Sequence, residues 1–169
     1  SLGFGLALQC PNDRYVNDEA ICTAIAGQLA RIGVKARVAS RPFAVHSPAI
    51  FAAELDFFLY GWGVPTYDSA YIFDYLVHTR GRNGRGSANA TGFSDPALDE
   101  KIAQLSSSRD ATQRRELIAQ IWQVVQKAHV YIPLHNQVVN YAMRPELDVP
   151  VTSENTIFFK EVRPVGAGL

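Results

Sequence analysis

The chain has 169 residues, 47% of them hydrophobic, and its 16 Lys and Arg residues balance its 16 Asp and Glu residues. This length allows one domain with a sizeable core, and the apolar content argues against a disordered chain. The charge balance argues against a broad surface for nucleic acid or membrane, and no apolar run is long enough to span a bilayer. No basic-then-apolar leader precedes the first residues, which already resemble a strand, so we expect a fragment of a longer protein.

The first forty residues predict a strand–helix–strand unit. Residues 4–9 alternate loosely between apolar and polar positions, as a strand does, and turn-forming residues follow them. Asn17 or Asp18 can cap a helix with apolar residues at helical spacing, and Gly33 suits the C-terminal end of that helix. Residues 34–39 alternate again. This order predicts parallel strands joined by a right-handed crossover, and therefore an α/β fold.

Cys10 and Cys22 are the only cysteines in the chain. One lies at the end of the first predicted strand and the other near the start of the helix, so a disulfide is reasonable if those ends pack together. Such a bridge would stabilise the fold by about 3 kcal/mol and would indicate an oxidising compartment. The bridge is the preferred prediction, and two unrelated buried thiols are the alternative.

An apolar strand that opens into a glycine-rich loop is the most distinctive stretch of the chain. Residues 56–60 form an aromatic run that suits a strand buried on both faces. Gly61 and Gly63 interrupt it, and Pro65 opposes its continuation. Trp62 lies at this break, where a ligand can approach the backbone, so it can form the wall of a pocket. A tryptophan that only caps the core is the alternative and, on this stretch alone, the preferred one.

Two shorter helices flank this stretch. One is predicted to begin at Pro48 with Ser47 as its cap, because proline suits the first helical position. The other is an aromatic-rich helix over residues 70–77 with Asp68 or Ser69 as its cap. We weigh the capping role of Asp68 equally with a ligand contact.

Two amphipathic helices and a last strand are predicted in the second half. The first helix begins with Asp95 as its cap and Pro96 at its first position, and the second follows Asp110. Before them, residues 80–87 hold three arginines among glycines without the ending of a P-loop, which predicts a mobile surface loop. Residues 156–162 predict the last strand.

Several short motifs follow one another along nearly the whole chain. They are residues 11–15 with residues 31–34, the Gly61-Trp62-Gly63 turn followed by Asp68, Asn89 with residues 92–96 and Asp99, the Arg114-Arg115 pair, and residues 132–135. No single motif is specific, but together they resemble the C-terminal lobe of extracytoplasmic solute-binding proteins of family 5, which serve peptide, nickel and oligosaccharide ABC importers. The resemblance implies a mixed sheet flanked by helices, as one lobe of a two-lobe, type II-like periplasmic binding protein that closes on its ligand by hinge motion.

The resemblance also sets the expected organisation of the protein. Residues 1–164 would form the C-terminal ligand-binding lobe, and residues 165–169 a loose tail. The location would be periplasmic or extracytoplasmic, after export by a signal peptide that this chain does not contain. The expected partners are a peptide or other small-molecule ligand, an ABC permease and the missing N-terminal lobe of the same protein. Neither a cofactor nor a nucleic acid is expected, and the protein should be a monomer.

The expected ligand contacts lie on the loop after the aromatic strand: Gly61, Trp62, Gly63, Pro65, Thr66 and Asp68. In peptide binders of this type, an aspartate three residues after the tryptophan pairs with the amino terminus of the ligand. Pro65 occupies that position here, and proline offers neither charge nor donor for an ammonium group. Peptides or a related small solute remain the expected ligands, with Asp68 as the candidate replacement. An oligosaccharide, an opine-like compound and a nickel complex are the alternatives.

Enzyme motifs are missing from the sequence. It contains no GxSxG elbow, no HExxH and no glycine-rich dinucleotide fingerprint. The histidines His46, His78, His129 and His135 are scattered, so we expect no metal site in this chain. The sequence therefore predicts a binding protein and not an enzyme. A ligand-sensing module built on the same lobe is the alternative that sequence does not separate from transport.

Overall fold

The computed structural model describes residues 5–152 and 156–166. The chain divides into two compact units, residues 1–133 and residues 134–169. The ligand-binding lobe over residues 1–164 stays a prediction. The expectations for residue 4 and for the end of the tail fall outside the described residues. None of the helices in the described part is long and apolar enough to cross a membrane.

The predicted strand–helix–strand unit is present. Strand β1 (Gly5–Pro11) pairs in parallel with β2 (Lys35–Arg41), and helix α1 (Asp18–Arg31) connects them. The α1 helix is followed by Gly33, whose φ of 83° is the left-handed conformation that favours glycine. The α/β class predicted from the sequence is confirmed, with small sheets flanked by helices.

A disulfide joins β1 to α1. Cys10 and Cys22 are bonded, with their Cα atoms 6.6 Å apart, and both residues have 0% exposure. Together with Leu8 they form a small buried cluster, on which Ile25, Val38, Phe57 and Leu59 pack. The bridge therefore fixes the end of β1, where the chain turns into the loop before α1.

Helix α2 (Phe43–Phe51) begins five residues earlier than predicted, and Pro48 lies inside it. The prediction that Pro48 starts this helix is wrong. The Pro42 carbonyl accepts from the backbone N–H groups of Val45 and His46, and the Asp13 carboxylate accepts from the N–H of Phe43 at 2.7 Å. A distant aspartate thus satisfies a donor at the helix start, which a local sequence pattern does not reveal.

Residues 56–60 do not form the strand buried on both faces that their apolar character predicts, and the contacts that they do make involve residues 57–60. Gln9 of β1 donates to the Phe57 carbonyl and accepts from the Leu59 N–H, both at 2.9 Å, which makes a single parallel bridge. All four residues are half-buried. Among the described residues no strand pairs with the opposite edge of this segment, so the fully buried environment is not formed.

Three helices build the larger core. They are α3 (Ser69–Ile72), which continues into a π-helical turn (Phe73–Val77), α4 (Pro96–Ser107) and α5 (Ala111–Lys127). Their start residues are capped as predicted: the carboxylates of Asp68, Asp95 and Asp110 accept from backbone N–H groups at 2.8, 3.1 and 2.7 Å. The buried residues that these elements share are Phe73, Val77, Leu98, Ile102, Leu105, Leu117, Ile121 and Val125.

A tryptophan and a tyrosine form hydrogen bonds within this core. Trp122 stands with its ring centroid 4.9 Å from that of Phe73 and donates from Nε1 to the Ser69 hydroxyl at 3.2 Å. Tyr131 donates to the Leu76 carbonyl at 2.6 Å, and burial raises the pKa of Tyr131 to about 12. Both side chains therefore serve the core and not a ligand surface.

The second unit contains a short antiparallel pair, β3 (Leu147–Asp148) with β4 (Arg163–Pro164). The strand predicted over residues 156–162 is wrong, because a 3₁₀ turn (Phe159–Glu161) occupies its second half. There the N–H groups of Glu161 and Val162 donate to carbonyls three residues back instead of to a neighbouring strand. The described residues thus contain one parallel and one antiparallel pair of strands, each in a two-stranded sheet.

Candidate ligand-binding site

The loop of residues 61–68 is anchored at its start by a tyrosine from a distant part of the chain. The Gly61 N–H donates to the Tyr15 hydroxyl at 2.8 Å, and that hydroxyl lies 3.4 Å from the Gly61 carbonyl, to which it donates. A Cβ atom on Gly61 would lie 2.8 Å from the Tyr15 ring, so glycine lets this ring approach the backbone closely. Burial raises the pKa of Tyr15, so its hydroxyl keeps its proton at neutral pH.

Tyr15 is itself held in place by a buried carboxylate. Asp18, which is 5% exposed, accepts from the backbone N–H groups of Arg14 and Tyr15 at 3.1 Å each and from that of Glu19 at 2.9 Å. The Arg14 guanidinium lies 5.3 Å from the centroid of the Phe43 ring, within the range of a cation–π contact. The loop before α1 is therefore held by several internal contacts close to where Tyr15 meets residue 61.

Trp62 packs into a group of four rings, Tyr60, Trp62, Tyr71 and Tyr75, which we call the aromatic wall. The centroid of the Trp62 ring lies 6.3, 6.2 and 6.3 Å from those of the three tyrosines, within the range of favourable ring contacts. The tryptophan is half-buried, and its Nε1 is buried with no hydrogen-bond partner in the part of the chain that the structure describes. The ring packing predicted as the alternative is therefore present, and the pocket-wall role of Trp62 stays a prediction.

A salt bridge anchors the end of the loop. Asp68 accepts from the N–H of Ala70 with one carboxylate oxygen and pairs with Arg114 through the other at 2.5 Å. Arg114 also donates to the carbonyls of Leu105 and Ser108, at the C-terminal end of α4, at 2.7 and 3.4 Å. The capping role predicted for Asp68 is therefore present, and its second oxygen is engaged by a cation.

Between the two anchors the loop is open to solvent. Gly63, Pro65 and Thr66 are exposed, and Tyr67 is 69% exposed with a φ of 52°. A turn hydrogen bond joins the Tyr67 N–H to the Val64 carbonyl at 3.1 Å. The sequence-predicted residues thus share one surface loop, whose ends are fixed and whose middle offers backbone and aromatic groups.

Sequence reasoning missed the residues that hold this loop. Tyr15 and Arg114 both belong to motifs that carry the family resemblance, yet neither was assigned a role. Tyr71 and Tyr75 stand four residues apart on the turn after Asp68, the spacing that places side chains on one helical face. The four-residue spacing of these two tyrosines is the feature of the sequence that could have predicted the aromatic wall.

Metal-ligating residues are not clustered in the described part of the chain, where no group of three or more His, Cys, Asp or Glu side chains could hold a metal ion. His46 is fully buried and donates from Nε2 to the Leu59 carbonyl at 2.8 Å. His78 lies 2.7 Å through Nδ1 from the Thr79 carbonyl and 3.5 Å from Asp99. All three contacts are made to other groups of the chain itself.

Solved structures of solute-binding proteins are similar to this chain in fold. HbpA2 from Haemophilus parasuis matches with a TM-score of 0.66 and 18% identity, over 76% of this chain and 25% of that one. DppA from Helicobacter pylori, an ABC transporter-associated periplasmic binding protein in complex with the peptide STSA, matches with 0.66 and 16%, over 78% and 25%. NikZ from Campylobacter jejuni, in complex with Ni(L-His), matches with 0.61 and 13%, over 75% and 25%.

Sequence comparisons add no closer relative. No protein-family model matches the chain, and no curated protein matches it in sequence. The chain spans about a quarter of the length of the structures named above. The resemblance predicted from the sequence is confirmed by these structures: the chain shares the fold of part of the solute-binding proteins of peptide and nickel ABC importers.

Proposed function

We propose that this chain is part of the substrate-binding component of an ABC importer and supplies one wall of its ligand cleft. The observation that carries the proposal is the loop of residues 61–68, which is fixed at both ends by Tyr15 and Arg114 and is open between them. A binding surface of this kind needs little reordering when a ligand arrives, which lowers the entropy cost of binding. The shared fold with proteins solved with a peptide and with a nickel complex supports it.

Each predicted site residue has a defined part in this proposal. Gly61 and Gly63 allow the ligand to approach the backbone, and Trp62 provides an apolar wall backed by three tyrosines. Pro65 and Thr66 form the exposed rim of the loop. Asp68 contributes through its hold on the loop, because both of its carboxylate oxygens already have partners.

The ligand class that we propose is a peptide or a related small solute. Oligosaccharides, opine-like compounds and nickel complexes remain the alternatives, and ligand sensing remains the alternative to import. No catalytic step is proposed, because the loop presents aromatic and backbone groups and not a nucleophile beside a general base.

The proposal implies a larger protein with a second lobe that covers the ligand. Enclosure by both lobes removes most of the ligand surface from water, so this chain alone should bind weakly. The closed form of a monomer would then present its outer surface to a permease. The disulfide between Cys10 and Cys22 supports an extracytoplasmic location, because such bridges persist in oxidising compartments.

The test is thermal unfolding of the full-length protein against di- to hexapeptides, oligosaccharides, opine-like conjugates, and nickel with and without a chelator. A ligand at a hundred times its dissociation constant adds about 2.7 kcal/mol to the free energy of unfolding. The Trp62→Phe variant should weaken this stabilisation, whereas Arg82→Ala, an exposed residue of another loop, should not. Absence of a shift with every ligand would contradict the proposal, and chemical conversion of a bound ligand would favour an enzyme.

A further inference from the structure

We infer that the loop of residues 61–68 receives an uncharged group of the ligand, and that Tyr67 contacts this group and determines specificity. The inference rests on the proposed function and names the ligand chemistry that this wall accepts. Two independent features of the loop lead to it, its charge and the backbone conformation of Tyr67.

The first feature is that the loop has no carboxylate available for an ammonium group. Asp68 is its only acidic residue, and Arg114 neutralises it at 2.5 Å while Ala70 donates to its other oxygen. A second cation brought to this carboxylate would have to share it with a guanidinium that is already in place. Repulsion and desolvation therefore disfavour an ammonium beside the loop.

Neighbouring carboxylates are engaged as well. Asp18 accepts from three backbone N–H groups, and Asp13 accepts from the N–H of Phe43. Asp74, on the turn that carries Tyr75, lies 3.5 Å from the Arg85 guanidinium. Each of these acids thus already has a polar or charged partner, and none of them belongs to the loop of residues 61–68.

The second feature is the backbone of Tyr67. Four described residues other than glycine have positive φ angles: Asn17, Ala53, Tyr67 and His129. Ala53 and His129 follow the C-terminal caps of α2 and α5, where the left-handed conformation is common, and asparagine tolerates it. Tyr67 has neither reason, because it is aromatic and precedes α3 instead of ending a helix. A bulky residue held in this conformation suggests a function for its side chain.

That function is contact with a ligand because of where the ring lies. Tyr67 is 69% exposed, and no ring contact with the aromatic wall is formed in the described residues, so its side chain does not serve the core. It extends from the same anchored loop as Trp62, two residues after Pro65. Two aromatic side chains and an uncharged backbone suit a flat, uncharged group, such as an acylated peptide end or a sugar ring.

Three probes test the charge requirement in the full-length protein: trialanine, N-acetyl-trialanine and maltotriose. At pH 6.5, N-acetyl-trialanine or maltotriose should bind at least tenfold more tightly than trialanine. Between pH 6.5 and pH 9 the affinity for trialanine should rise about twentyfold as its α-amino group loses a proton, while that for N-acetyl-trialanine stays constant. Tighter binding of trialanine than of the other two at pH 6.5 would overturn the inference.

Variants of Tyr67 test the contact. Tyr67→Gly accommodates the left-handed backbone, so the unliganded protein should melt at the same or a higher temperature while affinity for the preferred probe falls about tenfold. Tyr67→Phe keeps the ring and should bind within twofold of the parent. A lower melting temperature with unchanged affinity would make Tyr67 a structural residue and overturn the inference.

The two proposals fail in different ways. If no ligand in the broad panel stabilises the protein, the proposed function and this inference are both lost. If a ligand binds the parent protein and the Tyr67→Gly variant equally well, this inference alone is lost.

Discussion

Two loops of this chain both contain glycines but differ in architecture. In the loop of residues 80–87, Arg80 donates to the Phe51 carbonyl, Arg85 pairs with Asp74, and the buried Gly86 donates to the Asp74 carbonyl at 2.7 Å. Polar groups along the length of this loop thus form hydrogen bonds or ion pairs with other parts of the chain. The loop of residues 61–68 is held mainly at its ends and exposes its middle.

The difference shows that glycine content alone does not identify a binding loop. The arginine-containing loop was predicted to be mobile, yet its contacts hold it against the turn of residues 73–77. Directly after it, Asn89 is 4% exposed and donates to the carbonyls of His78 and Phe93, so its side-chain amide is buried with internal partners. What separates the two loops is which backbone and side-chain groups are left without internal partners.

The largest effect should come from Gly86→Ala. A Cβ atom at this position would lie 2.7 Å from the Thr79 carbonyl and 2.8 Å from the Arg80 Cα, and φ is +64°. Both neighbours are backbone atoms, so the free energy of unfolding should fall by about 4 kcal/mol in chemical denaturation. Gly84→Ala is the control, because it has a φ of +85° in open space and should cost only about 1 kcal/mol. If both variants lose the same free energy of unfolding, the backbone atoms around Gly86 do not restrict this position more than the open space around Gly84 does.

Loss of the disulfide should have the next largest effect. Replacing both Cys10 and Cys22 by serine removes a bridge that closes a short loop, and should lower the free energy of unfolding by about 3 kcal/mol. Since the bridge borders the segment that carries Tyr15, ligand affinity should also fall. Ser40→Ala changes the exposed residue opposite Cys10 in β2 and should alter stability by less than about 0.5 kcal/mol.

Arg114→Ala tests the anchor at the end of the binding loop. It removes the contacts to Asp68, Leu105 and Ser108, and should lower the free energy of unfolding by about 2 kcal/mol and weaken ligand binding. The neighbouring Arg115 is exposed with a weak contact to Thr112, so Arg115→Ala should cost less than about 0.5 kcal/mol. If the two variants behave alike in denaturation and binding, the anchor has no special role.

Gly61→Ala tests the anchor at the start. The added Cβ would meet a tyrosine ring and not backbone, so Tyr15 can move aside and the cost should be about 1 kcal/mol. In a double-mutant cycle, Tyr15→Ala should remove most of this cost, because the clash disappears with the ring. A cost that persists without the ring would show that the clash lies elsewhere.

The smallest effect is a pH dependence from His46. Burial lowers its pKa below the model-peptide value, against the opposing hydrogen bond to the Leu59 carbonyl, and Arg41 lowers it further. The folded state therefore favours the neutral ring, so its stability is greatest above the unfolded pKa of about 6.5 and falls as the pH drops below that value. The stability of His46→Gln should vary less between pH 7.5 and pH 5, which urea unfolding at each pH would measure. A parallel pH profile for parent and variant would contradict this.

Much of the fold was predictable because its determinants are local. The caps at Asp68, Asp95 and Asp110 and the parallel pairing of the first two strands follow from patterns within short stretches. A helix start that depends on a distant group was not predictable in this way. Helix α2 begins at Phe43 because Asp13, thirty positions earlier, accepts its N–H. The two strands predicted wrongly, residues 56–60 and 156–162, likewise depended on neighbours that a hydrophobic pattern does not specify.

The same division applies to the candidate site. The sequence by itself determined the loop, its glycines, its tryptophan and the absence of an acidic residue at Pro65, since these are properties of consecutive residues. Only the tertiary structure decided that Tyr15 hydrogen-bonds to Gly61 and that Arg114 pairs with Asp68. Each of these contacts spans 46 positions in the chain. Such contacts form when packed helices and strands bring separate segments together, so their partners are set by the fold and not by local propensity.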